Sequence, residues 1–176
     1  MWRNVRGRRC GMPNYRRLFV PGGIYVFTLA IADRNRAWLV DRIDALSIAF
    51  RVVHAWRPYA MPACVILPDH LHCIWSLPEG DSAFPERWNR IKGEFSRRLN
   101  GDEHCSRSRV SKRERGIWQR RYWEHVVRDE RNLRRCIDYI HLNPVKHGLV
   151  ARVGDWPHSS FHRHVRDGRL PADWAG

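Results

Sequence analysis

No apolar run in this chain approaches the roughly 18 residues that a membrane-spanning helix requires; Ile24 to Ala32 is the longest strand-like stretch. Cysteine is sparse and scattered: Cys10, Cys64, Cys73, Cys105 and Cys136 are odd in number and nowhere spaced C-x-x-C. That pattern argues against a disulfide framework and a thiolate zinc site, and predicts reduced, mostly buried thiols. Lysine is rarer still, with only Lys92, Lys112 and Lys146 among 32 basic residues. No internal repeat is present, and the arginine-rich residues 1–12 lack the apolar core of a secretory signal. These absences predict a soluble cytoplasmic protein with no membrane contact.

What the chain does have is arginine and tryptophan. Its 32 Lys+Arg against 18 Asp+Glu leave a formal net charge of +14 over 176 residues. Because the charge is carried almost wholly by guanidinium, a planar fork that matches phosphate and stacks on bases, a polyanion is the first partner to consider. A hydrophobic fraction of 43% and nine Trp supply a packed core and exclude wholesale disorder. The length suits one domain. Residues 1–12 are expected to form a flexible basic leader, 13–165 the domain and 166–176 a C-terminal tail. The polar, pattern-free stretch 100–116 is expected to be a mobile loop.

Hydropathy patterning predicts the elements. Ile24 to Ala32 is β-branched and aromatic, as a central strand requires. Ala37 to Trp56 places Leu39, Ile43, Leu46, Phe50 and Val53 at helical spacing. Two apolar runs, Ala60 to Leu67 and His70 to Leu77, flank Pro68-Asp69 and predict an antiparallel pair joined by a tight turn. Phe84 to Leu99 carries the helical stripe Trp88, Ile91, Phe95 and Leu99. Trp118 to Arg128 is a strand or an irregular aromatic segment. Asp129 to Leu142 reads as a helix with an acidic start, ending before Asn143-Pro144. The order is that of a split βαβ, so the predicted class is α+β: a ferredoxin-like antiparallel sheet with helices packed on one face.

Two constellations carry chemistry. In His70-Leu71-His72 the strand alternation turns both imidazoles to one face, about 6–7 Å apart, a geometry that can chelate a divalent metal. Asp69 beside them fits a turn residue better than a partner of the pair. Near the end of the last helix, Tyr139 and Asn143 lie one turn apart on one face. Asn143 offers a neutral amide oxygen, and Tyr139 a phenol that can act as a nucleophile. Taken singly, each motif also fits a structural role, as surface histidines or as helix packing. Together, on a basic protein, they form a coherent phosphoryl-transfer site.

With these residues in hand, His70-Leu71-His72 followed by Cys73-Ile74-Trp75 resembles the HUH signature of single-tyrosine transposases. More narrowly, the chain resembles the REP-associated tyrosine transposases. The likeness runs from Asn14-Tyr15-Arg16-Arg17 to Trp156-Pro157 and Ser159-Ser160. It includes Trp118-Gln119, Trp123-Glu124-His125 and the long string from Asp138-Tyr139-Ile140 through Asn143-Pro144-Val145-Lys146-His147-Gly148. The resemblance implies an HUH endonuclease fold with Tyr139 as nucleophile on single-stranded DNA, leaving a 5′-phosphotyrosine and a free 3′-OH. It implies that His70, His72 and Asn143 hold one Mg²⁺ or Mn²⁺, and that the substrate is a palindromic REP hairpin. Tyr15, Arg16, Arg17, Arg120, Arg121, Lys146 and His147 are the expected DNA contacts. The protein would be bacterial, nucleoid-associated through DNA, a monomer or homodimer, with no obligatory protein partner. Two other readings stand beside this one: a non-catalytic module that binds structured nucleic acid, and a metal-dependent nuclease using activated water.

Overall fold

The structure, a computed structural model, describes residues 17–99 and 115–175. The predicted leader 1–12 and most of the predicted loop 100–116 lie outside the described residues.

Four antiparallel strands form one sheet: β1 (Ile24–Ala30), β2 (Ala60–Ile66), β3 (His70–Ser76) and β4 (Trp123–Val126), in the order β2-β3-β1-β4. Between β1 and β2 run a short α1 (Trp38–Asp41) and α2 (Ile43–Trp56); α3 (Phe84–Arg97) follows β3. Two interleaved βαβ units with this strand order are the predicted ferredoxin-like arrangement. The β2–β3 connection is the tight turn expected at Pro68-Asp69, closed by the Leu67 N–H donating to the His70 carbonyl at 2.8 Å.

Strand alternation divides the side chains between two layers. Tyr25, Phe27, Leu29 and Ile31 join Leu71, Cys73 and Trp75 under α2 and α3. There Trp75 and Trp88 stack at 4.1 Å between centroids with planes 14° apart. Burying each such ring contributes about 1.5–3 kcal/mol, so this layer is the main source of stability. Arg87 is wholly buried at its margin, bonded to Asp81 Oδ2 (2.6 Å) and to the carbonyls of Arg57 (3.1 Å) and Pro58 (3.0 Å).

The opposite layer is covered by α4 (Glu130–Lys146), whose Leu133, Ile137 and Ile140 pack on Val26, Ala63, Val65 and Ile74. Two helices thus sit on the expected face, and a third lies across the face that carries His72. This third helix also departs from its predicted end: it runs through Asn143-Pro144 to Lys146. Proline in a helix forfeits one N–H bond, at a cost of about 3 kcal/mol, but Pro144 is buried and lies in the last turn. The true stop is Gly148 at φ +68°, where glycine alone is unstrained. The Gly148 N–H donates to Val145 O (2.9 Å) and the Leu149 N–H to Pro144 O (3.0 Å), a Schellman closure.

After a 3-10 turn (Val153–Asp155), residues 158–160 line the outer edge of β2 before α5 (Phe161–Arg166). Ile66 N–H donates to His158 O (2.9 Å) and Ser160 N–H to Cys64 O (2.8 Å), which blunts a free sheet edge. Arg163, part of a basic cluster in the sequence, donates instead to the Met61 and Pro62 carbonyls (2.6 and 2.8 Å), where the β2 register shifts.

Candidate active site

Strand β3 and helix α4 build one site from opposite sides. His70 and His72 share a face, as the alternation predicts, and their rings stand 5.0 Å apart, nearly perpendicular. Across from them α4 presents one stripe, Tyr139, Asn143 and His147, each a turn from the next. The Tyr139 ring lies 5.6 Å from the His72 ring, and the His147 ring 5.0 Å from the His70 ring. The stripe therefore runs antiparallel to β3, and Asn143 falls between the two contacts, over the histidine pair.

Each histidine is oriented by a partner at Nδ1. The His70 Nδ1–H donates to Asp69 Oδ1 (2.7 Å), and Asp69 is itself paired with Arg34. With that proton aimed at Asp69, the Arg34 Nη2 3.4 Å from Nδ1 acts through its charge rather than as a donor. Thr28, directly opposite His72 in the β1–β3 register, places Oγ1 2.7 Å from His72 Nδ1. When Thr28 accepts, both rings keep an Nε2 lone pair for another partner, the usual support of a metal-binding imidazole.

Electrostatics keeps the pair neutral. Burial, reinforced by the neighbouring His70, His147 and Arg34, pushes the His72 imidazole down to about 3. Burial also lowers His70, against the opposing pull of Asp69. Burial raises the Asp69 carboxyl, but its bond from His70 and the charges of His70 and Arg34 outweigh that and hold it below the usual range. Asn143 is 1% exposed, and its Oδ1 has no hydrogen-bond partner. An orphaned amide oxygen at such depth is costly unless something else satisfies it. Among the described residues no three or more His, Cys, Asp or Glu side chains converge on a metal position, so a cation here would take two imidazoles and this amide. Two imidazole nitrogens and an amide oxygen are a mixed neutral donor set: the oxygen suits hard ions such as Mg²⁺ or Mn²⁺ and the imidazoles the borderline transition ions, so the residues present fit a divalent cation. Tyr139, by contrast, is 38% exposed, with Lys146 Nζ 4.6 Å from its ring centroid. Its hydroxyl-bearing ring is thus accessible from solvent while resting against a neutral histidine.

No protein-family model matches the chain. Relatives do. A candidate REP-associated tyrosine transposase of Haemophilus influenzae is 44% identical over 166 residues, 94% of each chain. The REP-associated tyrosine transposase of Escherichia coli K12 is 42% identical over 165 residues, covering 94% of this chain and 92% of that one. The chain belongs to the REP-associated tyrosine transposases. A solved structure of a REP-associated tyrosine transposase bound to a REP hairpin shares the architecture, with a TM-score of 0.81 at 42% identity over 94% of this chain and 92% of that one.

In this transposase the predicted site residues separate into groups. His70, His72, Tyr139, Lys146 and His147 come together, and Asn143 is buried on the same helical stripe between Tyr139 and His147. Arg17 does not: it pairs with Glu124 at 3.2 Å and lies 4.3 Å over the Tyr122 ring, in the layer beneath the opposite sheet face. Arg120 and Arg121 are exposed just ahead of β4, at the far sheet edge. Tyr15 and Arg16 lie outside the described residues. Sequence reasoning missed Thr28, because only the strand register brings it opposite His72. Asp69 is both a turn residue and the partner of His70; its signal was adjacency to the pair, preceding a histidine at a strand start.

Proposed function

We propose that this transposase is a single-strand DNA endonuclease and strand transferase that acts on REP-type hairpins through a covalent 5′-phosphotyrosine on Tyr139. The observation that carries the reading is the half-exposed Tyr139 ring against His72, beside the orphaned Asn143 Oδ1. The hairpin-bound relative supports the substrate class. Tyr139 Oη would attack phosphorus as the P–O3′ bond breaks; the phenol proton departs and the 3′-oxygen leaves as a free hydroxyl. Because the ester is conserved in the phosphotyrosine, a second 3′-OH can reverse the step and join strands.

Residues of the chain have defined parts in this reading. His70, His72 and Asn143 would hold one Mg²⁺ or Mn²⁺, which when bound supplies Lewis-acid polarisation of the scissile phosphate. Asp69 and Thr28 orient the two imidazoles, and Lys146 keeps the Tyr139 ring against the site by a cation–π contact. His147 and the surrounding arginines favour an approaching phosphate backbone.

The test is a labelled single-stranded REP-hairpin oligonucleotide incubated with protein and Mn²⁺ or Mg²⁺, resolved on a denaturing gel. The expected product is a protein–DNA adduct lost with EDTA and lost in Tyr139→Phe. Cutting without an adduct, unaffected by Tyr139→Phe, would establish a water-using nuclease instead; tight binding without either would leave a binding module.

A further inference from the structure

The cross-strand register continues past the histidines. Val65 of β2, His72 of β3, Thr28 of β1 and Trp123 of β4 form one row, every side chain on the α4 face. Trp123 is therefore two strand spacings, about 10 Å, from His72. Helix α4 does not cover it: its ring remains 47% exposed on a face otherwise sealed by Ile140 and its neighbours.

The exposed ring is also held. Trp123 stacks on His125 with planes 12° apart and centroids at 5.9 Å, and His125 Nε2 lies 3.1 Å from Asn132 Oδ1. Asn132 is anchored in turn, its N–H donating to the helix-capping Asp129 Oδ1 at 2.7 Å. A flat π surface braced by a second ring, with its approach open, costs little conformational entropy on binding. Basic residues belong to both elements nearby in the chain: Arg121 is exposed two residues earlier, and Arg135 is exposed one turn before Tyr139 on the same helical stripe.

We propose that Trp123, braced by His125, is a stacking platform for one unpaired nucleobase adjacent to the phosphate that Tyr139 addresses. This subsite rests on the reading that single-stranded DNA occupies the histidine–tyrosine site. The occupant is an unpaired base because the ring stands in the same row as that site, on a chain of strong positive charge, and offers a π face without a hydrogen-bonding frame. Such a contact gives affinity and positioning with little base preference. An internal pair of a duplex stem could not use it, since both of its faces are already stacked.

The test uses the full chain with REP-hairpin oligonucleotides carrying 2-aminopurine, or an abasic site, at successive positions of a single-stranded extension beside the stem. Wild type is expected to quench 2-aminopurine at one position, and Trp123→Ala to relieve that quench while weakening binding about tenfold, within the range of single base–aromatic stacks. Trp123→Phe should keep most of the affinity. The decisive comparison is a cycle: the loss caused by Trp123→Ala should vanish on the oligonucleotide abasic at the quenched position, which a merely structural role of Trp123 would not produce. Equal affinity and quench in wild type and Trp123→Ala would overturn the platform, as would altered self-association with unchanged DNA affinity. Failure of the underlying reading looks different: wild type forming no adduct while the Trp123 cycle still couples would keep the platform and remove the covalent mechanism.

Discussion

Thr28→Val is the most informative single change to the site's support. Valine matches threonine in shape, so β1 packing persists while the 2.7 Å contact to His72 Nδ1 disappears. His72 is 6% exposed, so no water replaces the lost partner easily. A buried donor left unsatisfied costs about 1–3 kcal/mol, which sets the expected loss in urea-unfolding free energy. The second effect is on the tautomer. Without Thr28 nothing fixes the proton on Nδ1, and the imidazole loses the lone pair at Nε2 for part of its population. Loss of such an orienting partner typically costs about 10–100-fold in metal affinity or activity. The assay is adduct formation against Mn²⁺ concentration, with unfolding measured in parallel; Thr28→Ser, which keeps the hydroxyl, should restore most of both. Wild-type stability and wild-type Mn²⁺ dependence in Thr28→Val would refute the account of how His72 is held.

Other expectations follow from the same geometry. Asp81→Ala should destabilise the fold by about 3 kcal/mol by stranding the buried Arg87 guanidinium, whereas Asp81→Ala with Arg87→Met should lose less, as read by urea midpoints. Stability should fall in mild acid: His72 and His141 are pushed by burial to about 3 and about 4, well below an unfolded histidine. At neutral pH both are largely uncharged in either state, so they cost little there. Below about pH 6.5 the unfolded chain takes up protons the fold refuses, costing up to about 1.4 kcal/mol per pH unit for each until the folded value is reached. Replacing either residue by an apolar one should flatten that slope in denaturation curves taken across the range. Hairpin affinity should drop by roughly 10³–10⁵ between about 50 and about 200 mM salt if about six to ten phosphates are contacted, and a flat titration would contradict the role given to the basic surface.

How much of this was legible in the sequence depends on the kind of interaction involved. Local periodicity carried the strands and helices, the tight turn at Pro68-Asp69, and the common face of His70 and His72, because these depend on neighbours in sequence. The Tyr139–Asn143 spacing was equally readable, and the structure closes it over the histidines. Pro144 misled: proline is a strong stop in isolation, but the ring is buried in a helix whose stop signal is Gly148, four residues on. Non-local partners were invisible. Thr28 and Trp123 enter the site's row only through strand register, and helix α4 takes the second sheet face because Val26, Val65 and Ile74 leave it apolar. Charge was the least informative signal residue by residue. Arg17 and Arg163 belong to basic clusters in the sequence, yet the fold spends them on Glu124 and on β2 carbonyls.

The most direct test of the central claim is to map the covalent linkage itself. Adduct formed on a REP-hairpin oligonucleotide with Mn²⁺ would be digested with nuclease and trypsin and read by mass spectrometry. The tryptic peptide from Cys136 to Lys146 contains Tyr139 as its single tyrosine. The account predicts a nucleotide 5′-phosphate on that tyrosine and on no other. A modified tyrosine elsewhere, or cleaved DNA with every tyrosine unmodified, would contradict it.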